Sequence, residues 1–172
     1  STAFVAGDNT TSTPVTVDAG VSVTDASAST LASATVSITG NLHTGEDVLA
    51  FTNNPATMGN ITASYNAGTG VLTLTSAGAT ATLAQWQAAL QSVTYTNTAV
   101  TPNPATRTIS FTVNDGTNSS NTATRTVTVA NTDQTPIVTT TAGNTTYTLG
   151  GTATTVDAGV TVTDLDNTTQ SS

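Results

Sequence analysis

Any chemistry in this chain of 172 residues has to be built from ten carboxylates, one histidine and two arginines, because it holds no lysine and no cysteine. The carboxylates are Asp8, Asp18, Asp25, Glu46, Asp47, Asp115, Asp133, Asp157, Asp164 and Asp166, and nearly all fall in expected turns or linkers. Carboxylates so placed suit Ca²⁺, a hard cation that takes about six to eight oxygens from Asp, Glu, Asn and backbone carbonyls. A plainer reading is that Asp and Asn favour turns because their side chains bond the backbone two residues on. Arrangement favours calcium: the polar linker Asn131-Thr132-Asp133-Gln134-Thr135-Pro136 follows the last strand, and Asp164-Leu165-Asp166 comes about thirty residues later.

Other chemistries lack their parts. His43 lies in the turn Asn41-Leu42-His43-Thr44-Gly45, and no Gly-x-Ser-x-Gly nucleophile elbow accompanies it, so it reads as a solvated loop histidine. A phosphate loop needs the missing lysine, and a zinc site needs a His/Cys cluster. The pairs Glu46-Asp47 and Asp164-x-Asp166 come without the aromatic-lined cleft across which glycosidase carboxylates work. The expectation is therefore that the protein is not an enzyme. Nucleic acid is set aside as a partner, since phosphate binding rests on Lys and Arg and this chain carries a net charge of -8. No apolar run approaches the roughly 18 to 20 residues of a membrane helix. The opening Ser1-Thr2-Ala3-Phe4 has no basic n-region and reads as the start of a piece excised from something longer. Without cysteine there is no disulfide framework.

The elements that must position these acids are short strands. Charged residues make up 7% of the chain, against about 25% in ordinary soluble domains, and Thr, Ser and Asn supply the polarity instead. Threonine fits a pleated surface through its stiff β-branched side chain while its hydroxyl faces water. Alternation predicts strands over 15–17, 21–24, 34–39, 48–52, 61–65, 71–75, 93–96, 106–113 and 123–129. The segment Asn66-Ala67-Gly68-Thr69-Gly70 reads as a hairpin turn. Leu83, Trp86 and Leu90 break the period of two and predict a short helix over 83–90 capped by Thr82. Trp86 reads as a core anchor, with a sugar-stacking platform as the alternative.

The chain also repeats itself. Thr13 to Asp25 returns as Thr152 to Asp164, with ten of thirteen positions identical at an offset of 139. A period this long is domain-sized, so residues 1–136 read as one repeat, with a core at about 13–130 and a linker at 131–136. Residues 137–172 read as the N-terminal part of the next repeat.

Several phrases together, Val23-Thr24-Asp25, Gly45-Glu46-Asp47-Val48-Leu49, Thr82 to Leu90, Thr106 to Gly116 and Asn131 to Pro136, resemble the cadherin-like tandem domains of large bacterial surface adhesins secreted by the type I route. The resemblance implies an all-β fold, a Greek-key cadherin/immunoglobulin-like β-sandwich of about seven strands with one short helix. It implies Ca²⁺ at the junctions, with Asp164 and Asp166 in the first top loop of the second repeat and Asn131 and Asp133 in the linker. Asp18, Glu46 and Asp47 would lie at the bottom of the first repeat. Asp25 and Asp115 are weaker candidates for a second site, because the first repeat reads Asp25-Ala26-Ser27 where the second has Asp-x-Asp. The implied function is that of a Ca²⁺-rigidified extender, or stalk, repeat of an extracellular cell-surface adhesin that supports adhesion and biofilm formation. Its partners would be neighbouring repeats of the same chain and a surface or glycan ligand of the parent, with the repeat itself monomeric. A carbohydrate-binding module of a secreted protein and an S-layer-like structural domain are the alternatives.

Overall fold

The computed structural model describes residues 1–167. The chain forms two compact units, Ser1–Thr132 and Asp133–Ser172, so the division falls inside the polar segment 131–136.

The first unit is built from two sheets. One has six strands in the order β1 (Thr2–Val5), β9 (Ala123–Ala130), β8 (Arg107–Asn114), β3 (Ser33–Gly40), β6 (Val71–Ser76) and β5 (Ile61–Asn66). All neighbours are antiparallel except β1, which runs parallel to β9. The other sheet has three antiparallel strands in the order β2 (Val15–Thr16), β7 (Thr94–Asn97) and β4 (Asp47–Ala50). The protein is thus mostly β, as expected. Alternation explains the large sheet: Ala34, Val36 and Ile38 on β3, Leu72 and Leu74 on β6, and Ile109 and Phe111 on β8 are buried, while the intervening Ser and Thr stand on the opposite face, where Ser110 is buried as well. Val36 stands in register with both Leu72 and Phe111, so one apolar row crosses three strands. The sheets share a single core, in which Phe4 of β1 meets Tyr95 of β7 edge to face with ring centroids 5.3 Å apart.

Helix α2 (Leu83–Gln91) forms where the spacing of Leu83, Trp86 and Leu90 predicts it. Thr82 accepts from the Gln85 N–H while the Gln85 side chain accepts from the Thr82 N–H, a reciprocal cap that satisfies two amides the helix leaves unpaired. Trp86 is fully buried and its Nε1 donates to the Leu31 carbonyl at 3.0 Å. The core reading therefore holds, and the Trp86 ring is not offered to a sugar. In the turn between β5 and β6, Asn66 Oδ1 accepts from Gly68 N–H and Gly70 takes φ +67°, which glycine adopts without strain.

Three features depart from the expectation. Residues 21–24 form no strand, because they run beside α2, which offers no backbone ladder. Two glutamine side chains supply one instead: Gln87 Oε1 accepts from Val23 N–H and Gln91 Nε2 donates to the Val21 carbonyl. The core begins before residue 13, since β1 joins the sheet through a parallel pairing with β9 across the whole unit and buries Phe4 completely. Such a non-local pairing leaves little mark in four residues of sequence. A four-residue helix α1 (Pro55–Met58) also appears, started by an Asn54 cap and a proline whose missing N–H costs a first turn nothing.

In the second unit, β10 (Ile137–Thr139) pairs antiparallel with β11 (Thr161–Thr163), and both strands are exposed.

Candidate cation-binding loops

The sequence repeat reappears as a repeat of carboxylate-centred turns. Asp18 Oδ1 accepts from Gly20 N–H at 3.0 Å, and Asp157 Oδ1 accepts from Gly159 N–H at 2.8 Å. Asp25 Oδ1 accepts from the N–H groups of Ser27 and Ala28, and Asp164 Oδ1 accepts from those of Asp166 and Asn167. Each aspartate thus organises its own turn, as the plainer sequence reading required. These bonds stabilise the charged form: the amides of Ser27 and Ala28 hold Asp25 below the ordinary carboxylate value. The Thr141 hydroxyl, with the amides of Gly159 and Thr141, does the same for Asp157.

Asp25 and Asp115 meet at the end of the first unit where β3 begins and β8 finishes. They line a cavity of about 210 Å³ with Asn118, Ser119 and Asn121. The amides of Asn118 and then Thr117 hold Asp115 below its ordinary value, while the charge on Asp25 pushes the other way. All the donors around this cavity that carry charge are oxygens, the type a hard cation takes.

Asp133, Asp164 and Asp166 gather within the second unit. Asp166 Oδ2 accepts from the Gln134 amide at 3.1 Å, and the Asn167 side-chain amide donates to Asp166 Oδ1 at 3.1 Å and to Asp133 Oδ1 at 3.4 Å. Lost hydration, a bond to Asp164 and the charges of Asp164 and Asp133 together raise the Asp166 carboxyl above its ordinary value. A divalent cation would relieve that crowding, and the donor set of carboxylate oxygens fits Ca²⁺. Among the described residues no three His, Cys, Asp or Glu side chains stand in a metal-holding group, so these acids are near one another without being converged.

Glu46 and Asp47 part company. Glu46 is half-exposed, with Oε2 3.9 Å from His43 Nδ1. Asp47 is 1% exposed and its carboxylate is filled by protein donors: Arg107 Nε at 3.0 Å, Tyr95 Oη at 2.6 Å, Asn97 Nδ2 at 2.8 Å and the His43 amide at 2.8 Å. Burial alone would push the Asp47 carboxyl up, but bonds from Arg107, Tyr95, the His43 amide and Asn97 outweigh it and hold the group below its ordinary value. Burial, then the bond to Asp47, drives the Tyr95 hydroxyl far above its own. Asn131 is exposed at the end of the first unit.

Sequence reasoning missed Arg107, Tyr95 and Asn97 as the partners of Asp47. One signal was present: Arg107 shares strand parity with Ile109 and Phe111, so a cation stood on the inward face and required a buried acid. No protein-family model, curated protein or solved structure matches the chain.

Proposed function

We propose that the chain is an extender repeat of a large bacterial cell-surface adhesin, exported to the cell exterior, in which Ca²⁺ at the head of each repeat stiffens a stalk that serves attachment and biofilm formation. The observation that carries the reading is the twofold recurrence of the same aspartate turns at an offset of 139, with Asp133, Asp164 and Asp166 gathered where the second repeat starts. The strand order supports it. Taken in chain sequence, β1, β9, β8 and β3 on one sheet and β2, β7 and β4 on the other are compatible with the seven-stranded Greek-key cadherin-like sandwich of this reading, which would have the hairpin β5–β6 and helix α2 inserted between its fourth and fifth core strands. The sparsely charged, Ser/Thr-rich composition suits a spacer rather than a binding face.

In this reading Asp133, Asp164 and Asp166 hold the ion, and Asp25 with Asp115 form the weaker counterpart in the first repeat, where Ser27 replaces the second carboxylate. Asp47 belongs to the interior. The test is titration calorimetry of the chain with CaCl₂, for wild type and for Asp166→Asn. Binding in the range of about 10⁻⁴ to 10⁻³ M, typical of extracellular modules, and its loss in the variant are expected. Absence of any calcium-dependent heat would reduce these acids to turn formers.

A further inference from the structure

At the end of the first unit where β4 and β8 begin and β7 and β9 finish, one side chain is surrounded by oxygens. Arg107 is fully buried. Its Nε donates to Asp47 Oδ2 at 3.0 Å, its Nη2 to Asp47 Oδ1 at 3.2 Å, and its Nη1 to the carbonyls of Asn103, at 2.7 Å, and Ala105. Two carboxylate oxygens and two backbone carbonyls are the donors a hard divalent cation would take. Here a guanidinium takes them. Through Asp47 the same group reaches the His43 amide, Tyr95 and Asn97, while Tyr65 Oη donates to the Asp47 carbonyl at 2.7 Å. One ion pair therefore touches the β3–β4 turn, the start of β4, the hairpin strand β5, the end of β7 and the β7–β8 loop.

We propose that Arg107 is a built-in cation that closes this end of the first unit, so that the turn 41–46 and the loop 98–106 are locked by the chain itself and need no metal. The lock distinguishes the two ends of the unit: the end with Asp25 and Asp115 has no buried cation between its acids, whereas this end carries its own. The proposal is independent of whether calcium binds anywhere in the chain.

Four amides report the lock: Asp47, bonded to the His43 carbonyl; Thr98, bonded to the Glu46 carbonyl; Ala99, bonded to Asn97 Oδ1; and Ala105, bonded to Asn103 Oδ1. Their hydrogen exchange is measured in chelator for the wild type, for Arg107→Lys and for the double variant Asp47→Leu/Arg107→Met. Replacing both partners leaves no unpaired charge behind, so the double variant is expected to keep the protection of β3 and β8. It is expected to lose protection at the four reporters by about tenfold or more. Arg107→Lys, which retains the charge but not the planar fork, falls between. The proposal is overturned if the reporters stay protected in the double variant, or if chelator alone opens them in the wild type. It is equally overturned if the double variant fails to fold, since the pair is then a requirement of the whole fold and not a local lock.

Discussion

Asp47 shows how a residue chosen for metal chemistry can be used up by the protein. A carboxylate that is 1% exposed and takes bonds from an arginine, a tyrosine, an asparagine and a backbone amide has no lone pair directed at solvent. Removing it strands the Arg107 charge in the interior, so Asp47→Ala is expected to cost about 3–5 kcal/mol. Glu46→Ala, one position away and half-exposed, should cost within about 0.5 kcal/mol. Urea denaturation of the two variants makes the comparison. The same group sets an acid dependence. Its carboxyl lies below the ordinary value in the folded chain, so the unfolded chain binds the proton more readily, and the stability the group contributes is present above its unfolded value of about 4. That contribution is lost as pH falls through the lower folded value, and the urea midpoint should drop across the same range in the wild type but less in Asp47→Leu/Arg107→Met. Trp86 stands at the other extreme of chemistry: fully buried and bonded once, it acts by volume. Trp86→Ala should cost about 3–5 kcal/mol, read from the same denaturation curves.

Helix α2 does two jobs that its nine residues announce unequally. Its buried residues Trp86, Ala89 and Leu90 seal the core with Leu83 packed against it, and of these Leu83, Trp86 and Leu90 were readable from spacing alone. Its polar face holds residues 21–23 through Gln87 and Gln91, one turn apart. Alanine at either glutamine should remove one bond, costing about 0.5–1.5 kcal/mol, and should speed amide exchange at Val23 specifically in Gln87→Ala. Neither glutamine could be singled out beforehand, because a glutamine on an exposed helix face carries no sign of which backbone it meets. The same limit applies elsewhere. Strands β3, β5, β6, β8 and β9 follow from period-two alternation, and the Thr82 cap from its position before an apolar run. Residues 21–24 alternate equally well yet form no strand, since alternation states which face is apolar but not whether a partner strand is present. Strand β1 was invisible for the converse reason: its partner lies 125 residues away in register, Thr2 against Val127, and four residues are too few for a pattern. Of the acids, the turn positions were legible because Asp bonds its own backbone, whereas the burial of Asp47 depends on Arg107, 60 residues on.

At the scale of the molecule, the charge is negative and each unit carries acids of its own. The first unit carries Asp25 and Asp115 at one end and Glu46 at the other, with strands of Ser and Thr between, and the second unit begins with Asp133, Asp164 and Asp166 close together. In the proposed string of repeats, acids concentrated at the ends would repel wherever one repeat met the next. Monovalent salt weakens that repulsion, since the screening length is about 8 Å at 0.15 M, but it leaves the joint free to swing. A divalent ion that bridges carboxylates removes the repulsion and also fixes the geometry. The two effects separate in small-angle scattering of a protein with two complete repeats. Raising NaCl should compact the particle by letting the joint bend, whereas millimolar Ca²⁺ at matched ionic strength should lengthen it and narrow its range of dimensions, and chelator should reverse the change. Asp133→Asn with Asp166→Asn should respond to NaCl alone. If Ca²⁺ and NaCl act alike at equal ionic strength in the wild type, the acids serve only as screened charge, and any stiffness of the proposed stalk would have to come from another source.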